Sequence, residues 1–295
     1  MSRDPSLEVF LRAVSRLCGW IYRQNKNKKE HQSDHASTLA WSLSFYPQPW
    51  LNWQRGATTG FAIDFPLLNL LGFACYAAST TAFLYSPTIR EQYAQLHPWS
   101  PEPTVRFNDF VFGAHAFLLC IVAYSQFFPS LWRLELSPVD RVTPPVLGIV
   151  VGSLCSIAVT ILLVVESDQW QWLDVMYVLG YIKLLVTFTK YIPQALLNYR
   201  RKSTEGWSII TILLDLTGGV LSMVQLVIDA SFQGDWSGIT GNPLKFGLSV
   251  VSIGYDLVFM AQHYILYPGA GHVEDGGKLP DSESRQSLLD AASRA

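Results

Sequence analysis

Apolar residues run along this chain in blocks too long and too evenly apolar for the one-sided stripe of a soluble amphipathic helix. A membrane-crossing helix needs about 20 consecutive, mostly apolar residues. Blocks of that length, bounded by charge or by Pro and Gly, occupy 61–85, 107–132, 144–165, 170–197, 207–232 and 244–267. Trp and Tyr gather at their ends, where amphipathic rings settle at a bilayer surface. A seventh block is divided: 17–22 is apolar, the run RQNKNKKEHQSDHAST at 23–38 is polar, and apolar character returns over 39–53. Neither piece spans alone, whereas removing the polar run would join them into one span. The pattern predicts an all-α membrane protein of seven transmembrane helices, the first interrupted by an insertion at 23–38. The alternative is an amphipathic N-terminal helix, a polar loop and a short first span. Arg3, Asp4, Glu8, Arg12 and Arg16 precede the first apolar piece without a long apolar core, so no cleavable signal peptide is expected.

Composition agrees with a lipid-facing chain. Of 295 residues 49% are hydrophobic and 15% charged, and mean hydropathy is +0.21. A net charge of -2 with scattered basic residues supplies no surface for nucleic acid. Cys18, Cys75, Cys120 and Cys155 stand singly within or beside apolar stretches, as buried small residues do. No nucleophile motif, metal-ligand cluster or phosphate loop occurs, so neither an enzyme nor a cofactor is expected. Counting Lys and Arg on alternate sides of seven spans puts Arg55, Arg133, Arg141, Arg200, Arg201 and Lys202 on one side, which is expected to be cytosolic. The N-terminus is then lumenal or external and the tail 268–295 cytosolic, polar and disordered. Within that tail ESRQSLLD resembles an acidic dileucine signal read by sorting adaptors, with its acid one residue too far upstream.

An internal repeat appears when 47–73 is laid on 193–219 at a constant offset of 146: 12 of 27 positions are identical, among them Pro47/Pro193, Gln48/Gln194, Asn52/Asn198, Arg55/Arg201 and Gly60/Gly206. With one span between two three-span units, both units enter the membrane from the same side. The expected layout is an N-terminal segment at 1–38, a first triple-helix repeat at 39–132, a linker helix at 144–165 and a second repeat at 170–267. Parallel repeats around a site at their interface are a recurring transporter plan. Each Pro-Gln pair, Pro47–Gln48 and Pro193–Gln194, is a candidate hinge, since proline frees backbone carbonyls and Gln can bond across helices. A structural kink is the alternative.

Ionisable groups inside a bilayer are costly and tend to face a cavity or a partner. Here they are Asp109, Lys183, Lys190, Asp215, Asp256 and His263. Lys183 and Lys190, seven apart, share a helix face and would meet substrate carboxylates, while Asp215 would meet an amino group. The alternatives are an internal Lys190–Asp215 ion pair and a Lys183 that snorkels to the interface. Asn69, Asn198, Gln48 and Gln194 add uncharged hydrogen bonds; Trp41, Phe45 and Tyr191 would wall the apolar middle of the guest, or simply pack. Burial favours the protonated form of a carboxyl, which makes Asp109, Asp215 and Asp256 candidates for proton coupling. His263 would pair with Asp256, and His115 is expected to be a packing residue.

FYPQPWLNW, KYIPQALLNYRRKSTEGWSI, LLDLTGG, NDFVFGAHA and GYDLVFMAQHYILYP resemble the PQ-loop transporters, and within them the cystinosins. The likeness runs over about 39–268. It implies two PQ-loop repeats and proton-coupled export of L-cystine from an acidic lysosome or vacuole by alternating access, with protons as the coupling ion and no covalent chemistry. It also implies proton-handling roles for Asp109 and Asp215, with Asp256 within GYDLVF a third. Thr211 stands where cystinosins commonly carry Asn, which puts one substrate hydrogen bond in question. Two other readings stay open: an exporter of cationic amino acids, and a cargo receptor that releases its ligand with pH.

Overall fold

The computed structural model describes residues 32–98, 101–103, 105–136, 141–233 and 243–268. Segment 1–31, with the first piece of the divided block and much of the polar run, lies outside it, as does the tail from 269. Among the described residues the regular elements are helices, plus one isolated bridge between Ala57 and Glu135. In order they are α1 (Gln32–Ser44), α2 (Pro47–Arg55), α3 (Asp64–Tyr85), α4 (Pro87–Leu96), α5 (Phe107–Ser125), α6 (Pro129–Trp132), α7 (Pro144–Glu166), α8 (Trp172–Thr189), α9 (Tyr191–Arg201), α10 (Ile209–Gln233) and α11 (Pro243–Met260). One π-helical turn, Ala261–Leu266, extends α11.

Among the described residues four helical stretches are long and apolar enough to cross a membrane: α3, α5, α7 and the run Trp172–Arg201 through α8 and α9. At 1.5 Å per residue the 22 residues of α3 reach about 33 Å. Ile209–Val224 and Val250–Leu266 are shorter apolar helices. The last residues of the polar run, from Gln32, are helical and continuous with the turn that carries Trp41.

Both prolines of the repeat mark breaks. Pro47 opens α2, and the carbonyl of Leu43, four residues earlier, accepts instead from Tyr46 N at 3.3 Å. Pro193 is the third residue of α9, and the division between α8 and α9 falls one turn before it, at Lys190. The block expected over 107–132 likewise divides: α5 stops at Ser125, and Pro129 starts the short α6.

The inner helices cross between the repeats. α1 packs along α10 and α3 along α8, while α5 lies on α3 and α11 on α10. Leu68, Leu71 and Cys75 of α3 meet Leu173, Met176, Leu179, Ile182 and Val186 of α8 in one buried cluster. Gly72 and Gly218, partners at the repeat offset, make the two crossings close: a Cβ on Gly72 would stand 2.8 Å from Val186, and one on Gly218 2.5 Å from the Trp41 ring. By contrast α7 leaves Leu147, Val151, Leu154, Val159, Leu162 and Val165 exposed, the surface of a helix that faces hydrocarbon.

Candidate functional site

The two breaks lie against one cleft. Its walls come from α1, α2, α3, α5, α9 and α10, and about 560 Å³ of space lies between them, including the mouth. Of the residues expected to bind substrate, Phe45, Asn69, Lys190, Tyr191, Thr211 and Asp215 all line it, together with Gln48. The break before Pro193 falls where Lys190 and Tyr191 enter the wall, and the break before Pro47 falls where Phe45 and Gln48 do.

Lys190 is 9% exposed, and its ammonium lies 4.4 Å from the centroid of the Tyr191 ring and 5.6 Å from that of Phe65. These faces attract a cation without neutralising it. The internal ion pair raised above is not formed: Asp215 Oδ2 accepts the Tyr191 hydroxyl at 2.6 Å and the Ser252 hydroxyl at 3.1 Å. A cation and an anion therefore share one cleft unpaired with each other. Two buried oxygens on its walls, Asn69 Oδ1 and Thr211 Oγ1, have no hydrogen-bond partner, an exception among buried polar groups that a polar guest would remove. The set suits a molecule with both carboxylate and ammonium groups and an apolar middle.

Beneath the cleft, at the end carrying Arg55 and Arg201, the repeats interlock through their Pro-Gln pairs. Gln48 Nε2 donates to the carbonyl of Gly206 at 2.8 Å and to Asn52 Oδ1 at 2.9 Å, and its Oε1 accepts from Ser208 N at 2.7 Å. Gln194 mirrors this: Nε2 donates to the carbonyl of Gly60 at 2.9 Å and to Asn198 Oδ1 at 2.9 Å, and Oε1 accepts from Ala62 N at 2.7 Å. Asn52 Nδ2 continues to Gln126 at 2.9 Å, and Asn198 Nδ2 to Gln262 at 3.0 Å. Each glutamine thus ties its own helix to the loop of the other repeat. Gly60 (φ +94°) and Gly206 (φ +88°) have backbone angles that favour glycine, and a Cβ on either would run into a carbonyl of the opposite loop. One ion pair crosses the same seam, Arg55 Nη2 to Glu205 Oε1 at 3.1 Å. Over it Phe61 and Trp207, partners at the repeat offset, face each other at 5.8 Å among Phe65, Phe127, Tyr191 and Phe259.

Several expected site residues lie elsewhere. Asn198 belongs to the interlock. Trp41 packs on Gly218, and Lys183 stands 3.9 Å over the Phe73 ring rather than in the cleft wall. Asp109 caps α5, accepting from Arg106 N at 2.8 Å and from the Tyr76 hydroxyl at 3.4 Å. Asp256 is fully buried, and neither carboxyl oxygen has a hydrogen-bond partner. His263, expected beside it, bonds Thr204 Oγ1 at 2.7 Å instead, at the π-helical turn. His115 is bonded at one nitrogen by Tyr46 and bare at the other. The sequence reading missed Gln126 and Gln262, polar side chains in apolar helices that a search of the third spans for matching amides would have found.

The family model described as PQ loop repeat matches residues 36–89 and 175–235. The chain is 40% identical over 263 residues to a cystinosin homolog of Caenorhabditis elegans, covering 88% of this chain and 59% of that protein. Against the cystinosin homolog of Dictyostelium discoideum it is 35% identical, covering 95% of this chain and 87% of the relative. Against the cystine transporter of Saccharomyces cerevisiae it is 28% identical over 79% of this chain and 92% of the relative. The chain spans under two thirds of the nematode protein's length but most of the other two.

Proposed function

Since the chain belongs to the cystinosin family of PQ-loop proteins, a family of transporters rather than enzymes, we propose that it exports L-cystine with protons from an acidic lysosome or vacuole to the cytosol. In this reading seven spans form two parallel three-helix repeats joined by α7, and the end bearing Arg55 and Arg201 is cytosolic. The observation that carries it is the cleft itself, where unpaired Lys190 and Asp215 share a wall with the bare oxygens of Asn69 and Thr211. A diamino dicarboxylic disulfide offers partners to all four.

Alternating access assigns a job to the interlock: bonds from Gln48 and Gln194 to the opposite loops hold the cytosolic end shut while the cleft loads from the lumen. Opening to the cytosol separates the loops and breaks them. Protons enter at Asp215, whose carboxyl meets two hydroxyls, and at Asp256, where a charge would be costly without a hydrogen bond. Asp109, capping α5, is the candidate on the lumenal side. A cationic amino acid would meet the Lys190 ammonium, which counts against that substrate class.

The reading is tested by binding. Purified chain should be stabilised against heat by cystine and not by arginine, and Lys190→Met should abolish the stabilisation. Stabilisation by arginine, or cystine stabilisation that survives Lys190→Met, would overturn it. Stabilisation by cystine with no flux in vesicles would favour the receptor reading.

A further inference from the structure

The break in the first repeat has a brace that the second lacks. Tyr46 is the residue at the break, between Ser44 of α1 and Pro47 of α2, and its hydroxyl shares a 2.7 Å hydrogen bond with Nε2 of His115 on α5. The two rings stack at a tilt, with centroids 5.5 Å apart. At the repeat offset Tyr46 corresponds to Ile192. Shifting the third helix so that Gln126 meets Gln262 places Val251 opposite His115. Neither Ile192 nor Val251 can form such a bond.

The brace lies midway along α5, inside an apolar span, and is partly buried. The other ring nitrogen, Nδ1, is buried and has no partner, so Tyr46 supplies the hydrogen bond that orients the imidazole. Tyr46 also joins the two helices through its backbone, its N–H meeting Leu43 O at 3.3 Å and its carbonyl accepting from Trp50 N at 3.1 Å, while Pro47 donates no bond. The preceding residue, Phe45, lines the cleft and packs edge-on against Phe73 at 5.1 Å and against Phe112 at 6.4 Å. Phe112 and His115 are one turn apart on α5, so one helix holds two consecutive residues of the break.

We propose that His115 is a positioning residue for transport: its bond to Tyr46 sets the bend between α1 and α2 and with it the place of Phe45 in the cleft wall. This rests on the transport reading given above. Loss of the bond lets Phe45 wander and weakens substrate binding, while the charged groups, on other helices, keep their places.

The test uses the full chain in proteoliposomes, with KM and maximal rate for labelled cystine measured in wild type, Tyr46→Phe, His115→Leu, His115→Gln and the double variant Tyr46→Phe/His115→Leu. Losing one neutral hydrogen bond should raise KM roughly fivefold in Tyr46→Phe and in His115→Leu, with maximal rate changed less than about twofold. The double variant should be no worse than either single one, and His115→Gln, which can still bond a hydroxyl, should recover much of the loss. Unchanged KM in Tyr46→Phe, or additive losses in the double variant, would overturn the proposal. If wild type itself moves no cystine, the transport reading fails instead. Amide exchange over residues 41–48 then judges the brace alone: faster exchange in Tyr46→Phe supports it and unchanged exchange refutes it, and His115→Leu gives the same readout should Tyr46→Phe not fold.

Discussion

Replacing Gln48 with Leu removes one half of the interlock while keeping most of the side-chain volume. Three bonds go: to the carbonyl of Gly206, to Asn52 Oδ1 and from Ser208 N. A buried neutral hydrogen bond contributes about 1 kcal/mol net, and a buried N–H left bare, here that of Ser208, costs about 1–3 kcal/mol. Setting the apolar gain of Leu against these leaves roughly 2–3 kcal/mol. Two of the three bonds join the repeats, so about two thirds of that falls on the closed form and shifts the closed-to-open equilibrium about 10- to 30-fold. The assay places a reporter cysteine at the cleft residue Ile212, 1% exposed in this conformation, in a chain whose native cysteines are replaced. A membrane-impermeant thiol reagent is applied from the Arg55 side. When opening and closing outpace labelling, the rate follows the open population, so Gln48→Leu should label about 10 to 30 times faster. Gln194→Leu should match it, because its bonds are the mirror image. Labelling within threefold of the parent for both, or a response from only one, would show that these bonds do not hold the cytosolic end shut.

Three further outcomes follow from the same contacts. Gly60→Ala and Gly206→Ala should each lower the melting temperature by several degrees, since either methyl group meets a carbonyl of the opposite loop at a positive φ; melts within a degree of wild type would contradict that packing. Glu205→Gln should change stability by less than about 1 kcal/mol, because the Arg55 pair is partly solvent-exposed, yet it should make labelling at Ile212→Cys less sensitive to salt. Asp256→Asn should melt at or above the wild-type temperature, since no hydrogen bond to either oxygen is lost, while acid stimulation of uptake falls; a large drop in melting temperature would show that the carboxyl has a structural partner.

The repeat was legible because the interlock needs the same residues twice. Pro47 and Pro193, Gln48 and Gln194, Asn52 and Asn198, and Gly60 and Gly206 recur in register because each occupies a matching place in one of two mirrored bond sets. Their roles were less legible than their recurrence. Asn198 reads as a substrate ligand from its neighbourhood, but both ends of its amide are occupied by Gln194 and Gln262. Gln126 and Gln262 escaped the alignment because the third helices match at 136 rather than 146. The charges of the cleft stood out as intramembrane Lys190 and Asp215, since burial of a charge is expensive wherever it occurs. Whether they pair was not legible, because that depends on which neighbour reaches first, and Tyr191 and Ser252 reach Asp215. Lys183 shares a helix face with Lys190, but its ammonium lies over the Phe73 ring and it is not among the residues that line the cleft. Asp109 shows the opposite limit: three residues after Arg106 at a helix start, it is a cap in the structure.

The transport cycle proposed above is proton-coupled cystine export through the Lys190–Asp215 cleft. Its most direct test is uptake of labelled cystine into vesicles carrying this chain with the lumenal face outward, at acidic and neutral external pH, beside Asp215→Ala. Uptake should accelerate with external acid and disappear in Asp215→Ala. Cystine uptake indifferent to external pH and to Asp215→Ala, or movement of lysine and arginine in place of cystine, would contradict it.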